Sequence, residues 1–248
     1  MHEMVHYVQR RNYIAPIDQP KKILDVGCGT GRWVKEMARD FPKSRVVGCE
    51  VLPVFSTHDM PKNARFEIGN VLQGLPFLTG SFDYVHMRFF ALEVPTGCWT
   101  LVMAELYRVC RPGGIIELCE TDGIVRQPAP TSHVINGWMT SMAADNQVEL
   151  SCISALDELL RDAGLVDVTR RDLNYPLGEW AGAVGTIQYR VYRSVLDSCR
   201  VQILANARLG EDAMDEMLQE QMNTLEQYQS HVVHYVYTAR RPLEDVSV

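Results

Sequence analysis

Three glycines at two-residue spacing, Gly27, Gly29 and Gly31, follow the apolar run Ile23-Leu24-Asp25-Val26. Behind them Trp33, Val34, Met37 and Ala38 recur at helical spacing. A strand, a glycine turn and a helix in that order bring backbone close to a ligand and allow positive φ in the turn. Asp25 stands at the end of this strand. Glu50 closes the next one, Ser44–Glu50, where a carboxylate can accept hydrogen bonds from both hydroxyls of a ribose. A dinucleotide fingerprint, G-x-G-x-x-G, wants its third glycine where this chain has Arg32, and a phosphate loop wants a Gly-Lys-Ser/Thr that is absent. Two readings stay open. One is an adenosine-type ligand without a diphosphate, with the first-strand acid facing a ligand ammonium group; the other is a plain tight turn.

Candidate proton acceptors are His86, Glu93, Glu120, Asp122 and His133. Glu120 ends a strand on the edge where ligands bind in open α/β sheets, and His133 lies in the long segment 122–150. Trp180, Tyr189 and Tyr192 can build an aromatic wall for an acceptor, or simply the core of a helical cap. Near the N-terminus, His2-Glu3-Met4-Val5-His6 matches the zinc-protease pattern H-E-x-x-H. It lacks a third ligand and a supporting scaffold, so it reads as part of a short amphipathic helix, and no metal site is expected. His231 and His234, three apart on an expected strand, face opposite sides and form no metal pair.

The elements that must position these groups alternate. Strands are expected at 21–27, 44–50, 64–70, 82–88 and 114–120, with a sixth beginning at Val166 and a last at 231–239. A helix over 98–110 is stopped by Arg111-Pro112-Gly113-Gly114. The pattern is that of a doubly wound α/β fold with a mostly parallel sheet. Segments 122–150 and 177–229 read as additions to it, the latter as a helical cap with Met214, Met217, Leu218, Met222 and Leu225 along one face. This divides the chain into an N-terminal helical cover at 1–20, an α/β core at 21–176 and 230–248, and a cap insert at 177–229.

The 248 residues carry 24 Lys plus Arg against 31 Asp plus Glu, a net charge of −7, which argues against nucleic acid and anionic membranes as partners. There is no bilayer-length apolar run and no signal-peptide core, so a cytoplasmic location is expected. Seven cysteines without a Cys-x-x-Cys pair suggest neither zinc knuckles nor a disulfide framework.

The segments ILDVGCGTGRW (23–33), VVGCE (46–50), FEIGNVL (66–72), FDYVHMRF (82–89) and LYRVCRPGGIIELCE (106–120) resemble, in order, the motifs of the class I S-adenosylmethionine-dependent methyltransferases. The resemblance covers about residues 21–170 and the last strand. It implies a seven-stranded sheet with the helical cap inserted before the last strand, and S-adenosyl-L-methionine as cofactor. It also implies that Asp25, Gly27 and Gly29 line the methionine part, that Glu50 holds the ribose, that Leu52 packs near the adenine, and that Asn70 with Val71 meets the adenine amine. Asn70 replaces the family's usual Asp. Tyr7 or Tyr13, in an N-terminal segment folded over the cofactor, would meet its carboxylate. Met87 and Arg88 would floor the transfer site, with Arg88, Trp180 and Tyr189 toward the acceptor and Glu120, His133 or His86 as base. The N-terminal cover, FDYVHMRF and the Gly-Glu-Trp-x-Gly stretch at 178–182 resemble natural-product methyltransferases, which implies methyl transfer to a small molecule. Alternatives are a protein or RNA acceptor, or a non-catalytic cofactor-binding regulator. The N-terminal helix or the cap offers a surface for a homo-oligomer.

Overall fold

A computed structural model describes His2, His6 and residues 11–243. Glu3, Met4, Val5 and Tyr7 lie outside the described residues. Strand β1 (Lys22–Val26) is buried on both faces after its first residue, as an inner strand of a parallel sheet must be. Helix α1 (Arg32–Asp40) buries Trp33, Val34, Met37 and Ala38 against it. Gly31 starts that helix at φ 78°, and a Cβ there would meet the Phe66 ring at 2.2 Å, so the position admits only glycine.

The chain continues through β2 (Arg45–Glu50), β3 (Ala64–Ile68), β4 (Phe82–Arg88), α2 (Trp99–Val109) and β5 (Cys110–Thr121). It then runs through α3 (Pro130–Asp145), α4 (Leu156–Asp162), β6 (Val166–Pro176), α5 (Gly182–Ser198), α6 (Arg200–Ala207), α7 (Glu211–Tyr228) and β7 (His231–Arg240). The sheet order is β3-β2-β1-β4-β5-β7-β6, seven strands in all, with β7 antiparallel to both of its neighbours. The expected mostly parallel, doubly wound sheet is therefore present, with the helical insertion before the last strand.

Two boundaries differ from the pattern reading. Strand β5 begins at Cys110 and not at Gly114, because Cys110 pairs with Phe82 before a bulge restores the register at Ile115 and Tyr84. Strand β6 runs on to Pro176, because it pairs with β7 without interruption from Thr169 to Pro176. It is an edge strand with mostly exposed side chains, so the ladder, not an apolar alternation, defines it.

The apolar interior is divided. One cluster lies between the sheet and α2 with α4, built on residues such as Met103, Leu106, Leu156 and Tyr237. A second joins α3 to the 177–229 segment: Ile135, Trp138, Met139 and Met142 pack with Tyr192, Leu196, Ile203, Met214, Leu218 and Leu225. The helix of segment 122–150 thus shares its core with the cap helices. At about 1.5–3 kcal/mol for each large apolar side chain buried, this second cluster can hold the cap together. Among the described residues, no helix is long and apolar enough to cross a membrane.

Candidate functional site

A cleft of about 730 Å³ opens over the glycine turn, at the carboxyl ends of β1, β2 and β4. Gly27, Gly29, Glu50, Leu52, Asn70, Val71 and Arg88 all line it. A Cβ on Gly29 would meet nothing within 4 Å, so the turn presents bare backbone to open space. Gly27 is the opposite case: a Cβ there would lie 2.1 Å from the Phe90 ring, which closes one end of the cleft. Glu50 is fixed from behind. Its Oε2 accepts the Gly29 amide at 2.8 Å and its Oε1 the Val51 amide at 2.8 Å. Each carboxylate oxygen keeps a free lone pair for a diol. The Asn70 side-chain oxygen accepts the Leu72 amide at 2.9 Å, which fixes the carboxamide and leaves it a second lone pair and the amide nitrogen for a ligand.

Three residues expected at the cofactor lie behind this wall. Asp25 is buried, and its Oδ1 is 2.8 Å from His86 Nδ1. Met87 is fully buried in the main core, because strand alternation turns it away from the face that carries His86 and Arg88. Tyr13 packs on Phe41 and Tyr84 in the cluster beneath α1, with ring centroids at 5.6 and 6.5 Å. His86 is likewise no base facing a ligand: Trp33 stacks flat on its ring at 4.1 Å. Register places Asp25, His86 and Glu117 side by side on β1, β4 and β5. Glu117 accepts the amides of Ile14 at 2.9 Å and Ala15 at 2.5 Å, which docks the N-terminal segment on this buried polar row.

At the cleft mouth, Arg88 bonds His2 Nδ1 at 2.5 Å, and His2 Nε2 lies 2.9 Å from Glu36. Burial and the Arg88 charge push the His2 imidazole below its usual range. The first histidine of the H-E-x-x-H pattern is therefore engaged with an arginine and a glutamate.

Glu120 is fully buried and receives the amides of Phe90 at 2.8 Å and Ala91 at 3.0 Å. Burial raises its carboxyl to about 8 against the pull of those amides. It lines neither the cleft nor the neighbouring chamber, so its place is structural. It pins the loop after β4, where Phe89 adopts φ 63°, a costly conformation for a side chain of this size.

That loop separates the cleft from a second space. A chamber of about 330 Å³ lies under the cap, walled by Met139 and Met142 of α3, Gln188, Val191, Tyr192 and Val195 of α5, and His234 of β7. Phe89 and Glu93 line both spaces. Asp122 is on the chamber wall but is tied to Arg126 and to the Tyr235 hydroxyl, the latter at 3.1 Å.

Of the expected acceptor residues, Arg88 sits in the cleft and not in the chamber. Trp180 donates its indole N–H to the Leu177 carbonyl at 2.6 Å. The glycines around it serve helix packing: a Cβ on Gly185 would lie 2.0 Å from the Gly178 carbonyl. Tyr189 turns toward α7, its hydroxyl 3.2 Å from the Leu218 carbonyl, and its neighbour Tyr192 takes the chamber position. His133 is exposed on α3 in a separate outer groove. The residues that sequence reasoning passed over are Phe90 in the cleft, and Phe89, Gln188 and His234 as a chamber group. Their signal was weak because they come from separate segments with no shared spacing.

Residues 23–114 match the family described as Methyltransferase domain. The secondary metabolism regulator laeA of Coprinopsis cinerea is 43% identical over 102 residues, 41% of this chain and 25% of that protein. Methyltransferase str3 of Strobilurus tenacellus is 38% identical over 111 residues, 44% of this chain and 39% of that protein. The matches thus span well under half the length of these relatives. A phosphoethanolamine N-methyltransferase 2 of Haemonchus contortus, solved with S-adenosylhomocysteine, superposes with a TM-score of 0.60 at 17% identity. It covers 97% of this chain and 52% of its own.

Proposed function

We propose, from the premise that this chain belongs to the class I S-adenosylmethionine-dependent methyltransferases, that it moves a methyl group onto a small molecule held under the cap. The observation that carries this reading is the shared wall: Phe89 and Glu93 border both the cleft and the chamber. A donor in one space and an acceptor in the other would meet there.

The cleft fits the cofactor by its donor set. Gly29 offers bare backbone, the braced Glu50 carboxylate suits ribose hydroxyls, and Leu52 and Val71 offer apolar surface for an adenine. When bound, S-adenosylmethionine supplies an already activated methyl group. The chain's part is then alignment, desolvation and, for acceptors that must lose one, removal of a proton. Phe89 and Phe90 narrow the passage and exclude water. Glu93, exposed at the passage, is the proton acceptor this geometry favours, in place of Glu120, His86 and His133.

A small acceptor is supported by the size of the chamber, about 330 Å³, and by the acidic charge balance, which disfavours nucleic acid. The seven unpaired cysteines suit a reducing, cytoplasmic setting. The regulator name of one relative keeps a cofactor-binding role without transfer as the second reading. Isothermal titration decides the first step: S-adenosylmethionine should bind and NAD should not. Glu50→Ala should weaken binding more than tenfold. Unchanged affinity in that variant would overturn the cleft assignment.

A further inference from the structure

We propose that the chamber selects an acceptor without negative charge, an apolar frame bearing a hydroxyl, held by Gln188 and His234, and turns away carboxylates and phosphates. The inference rests on the methyltransferase reading above and goes further by assigning the acceptor's charge.

Three observations carry it. First, the charged side chains on the chamber wall, among the described residues, are Glu93 and Asp122, both acidic. No Lys or Arg lines it; Arg126 is turned to Asp122 and to the Ile124 carbonyl at 2.9 Å, and Arg88 lines the cleft alone. An anion placed here would lose its hydration and meet only like charge. Second, three buried polar side chains of the wall, Gln188, Tyr192 and His234, carry an atom without a hydrogen-bond partner, and Gln188 and His234 are the most deeply buried of them. Gln188 Oε1 and His234 Nδ1, on residues 3% and 1% exposed, have no hydrogen-bond partner within the protein. A buried polar atom without a partner costs about 1–3 kcal/mol, which an occupant with a matching hydroxyl would relieve. Third, His234 is held as a neutral ring. Tyr175 packs on it at 4.2 Å, Phe89 meets it edge-on at 5.6 Å, and burial lowers it to about 3. A neutral imidazole offers one donor and one acceptor, which complements a hydroxyl and gives an anion no positive charge. Met139, Met142, Val191, Val195, Leu196 and Val232 make up much of the remaining wall, beside the uncharged polar side chains Thr121, Asn146, Ser198 and Gln202, so the frame that carries the hydroxyl should be largely apolar.

Three probes with one frame and different charge test this: methyl 4-hydroxybenzoate, 4-hydroxybenzoate and tyramine. Each is titrated calorimetrically into protein saturated with S-adenosylhomocysteine. The ester and tyramine should each bind at least tenfold more tightly than 4-hydroxybenzoate. Gln188→Leu and His234→Leu should each weaken the ester at least fivefold, with S-adenosylhomocysteine affinity changed less than twofold. Val191→Trp, at a partly exposed wall position, should fill the chamber and abolish ester binding with unchanged unfolding temperature. Equal or tighter binding of 4-hydroxybenzoate than of the ester overturns the charge selection. Ester binding that ignores all three substitutions overturns the placement, and so does the absence of probe binding while S-adenosylhomocysteine is bound. Failure of S-adenosylhomocysteine itself to bind brings down the methyltransferase reading instead. The ester titration, repeated without it, then decides the chamber on its own.

Discussion

The cleft and the chamber share a wall but are built by different means. The cleft is made by short contiguous stretches at strand ends, the turn at 26–33, the end of β2 at 50–54, the loop at 69–72 and the loop at 88–94, with His2 at its mouth. Its key groups are backbone, glycine and one carboxylate braced by two backbone amides. The chamber is gathered from five stretches between Phe89 and His234, and its key groups are side chains of α3, α5 and β7 that meet only when the cap packs. Local geometry with obligatory residue types constrains a sequence strongly, whereas a wall of long-range contacts accepts many apolar residues.

The most disruptive way to separate the two is to open the cap's own core. Leu218→Ala removes a fully buried side chain from the second cluster and should cost about 2–5 kcal/mol. If the clusters are as independent as their packing indicates, hydrogen exchange should rise in α3 and α5–α7 while cofactor affinity changes less than threefold. A matching loss of cofactor binding would show that the cleft depends on the cap.

A smaller effect distinguishes two buried groups on neighbouring strands. Glu120 holds its proton to about 8 when folded, while the unfolded chain releases it near 4.5. The folded state then binds more protons between these values, so stability falls as pH rises from 4.5 to 8, by at most a few kcal/mol. His234 has the opposite sign. Folded, it stays neutral to about 3, so protonation of the unfolded chain drains stability as pH falls below 6.5. Chemical denaturation across pH should show both limbs. Glu120→Gln should flatten the upper limb and leave the lower one, and an unchanged upper limb would remove Glu120 as its source.

The smallest effects belong to tyrosines expected at the site. Tyr13→Phe should leave cofactor affinity within twofold, since the ring packs on Phe41 and Tyr84 away from the cleft. Tyr189→Phe should cost at most about 1 kcal/mol, the worth of its bond to the Leu218 carbonyl. A tenfold loss of cofactor affinity in Tyr13→Phe would restore it as a ligand contact.

The same contrast explains what could be read from residues alone. The strand ending at Glu50 and the turn glycines were legible because each is a local necessity. Asp25 and His86 were named as working groups, and their mutual bond was not foreseen, because it depends on how β1 and β4 register. Glu120 was noticed for standing at a strand end on the ligand edge. Only the fold reveals that the amides of Phe90 and Ala91 occupy its oxygens. Tyr189 and Tyr192 are indistinguishable by composition, and the rotation of α5 sends one to α7 and the other to the chamber.

The docking of Ile14 and Ala15 onto Glu117 bears on where this protein can be cut. A core fragment started at residue 21 would keep every strand and the whole glycine turn. It would also leave a carboxylate that is 2% exposed in the intact chain stripped of its two amide donors, at the end of the row that includes Asp25 and His86. The segment before β1 is therefore part of the minimal folding unit, and an expression fragment needs to begin ahead of Asn12, whose carbonyl takes the Trp33 indole proton.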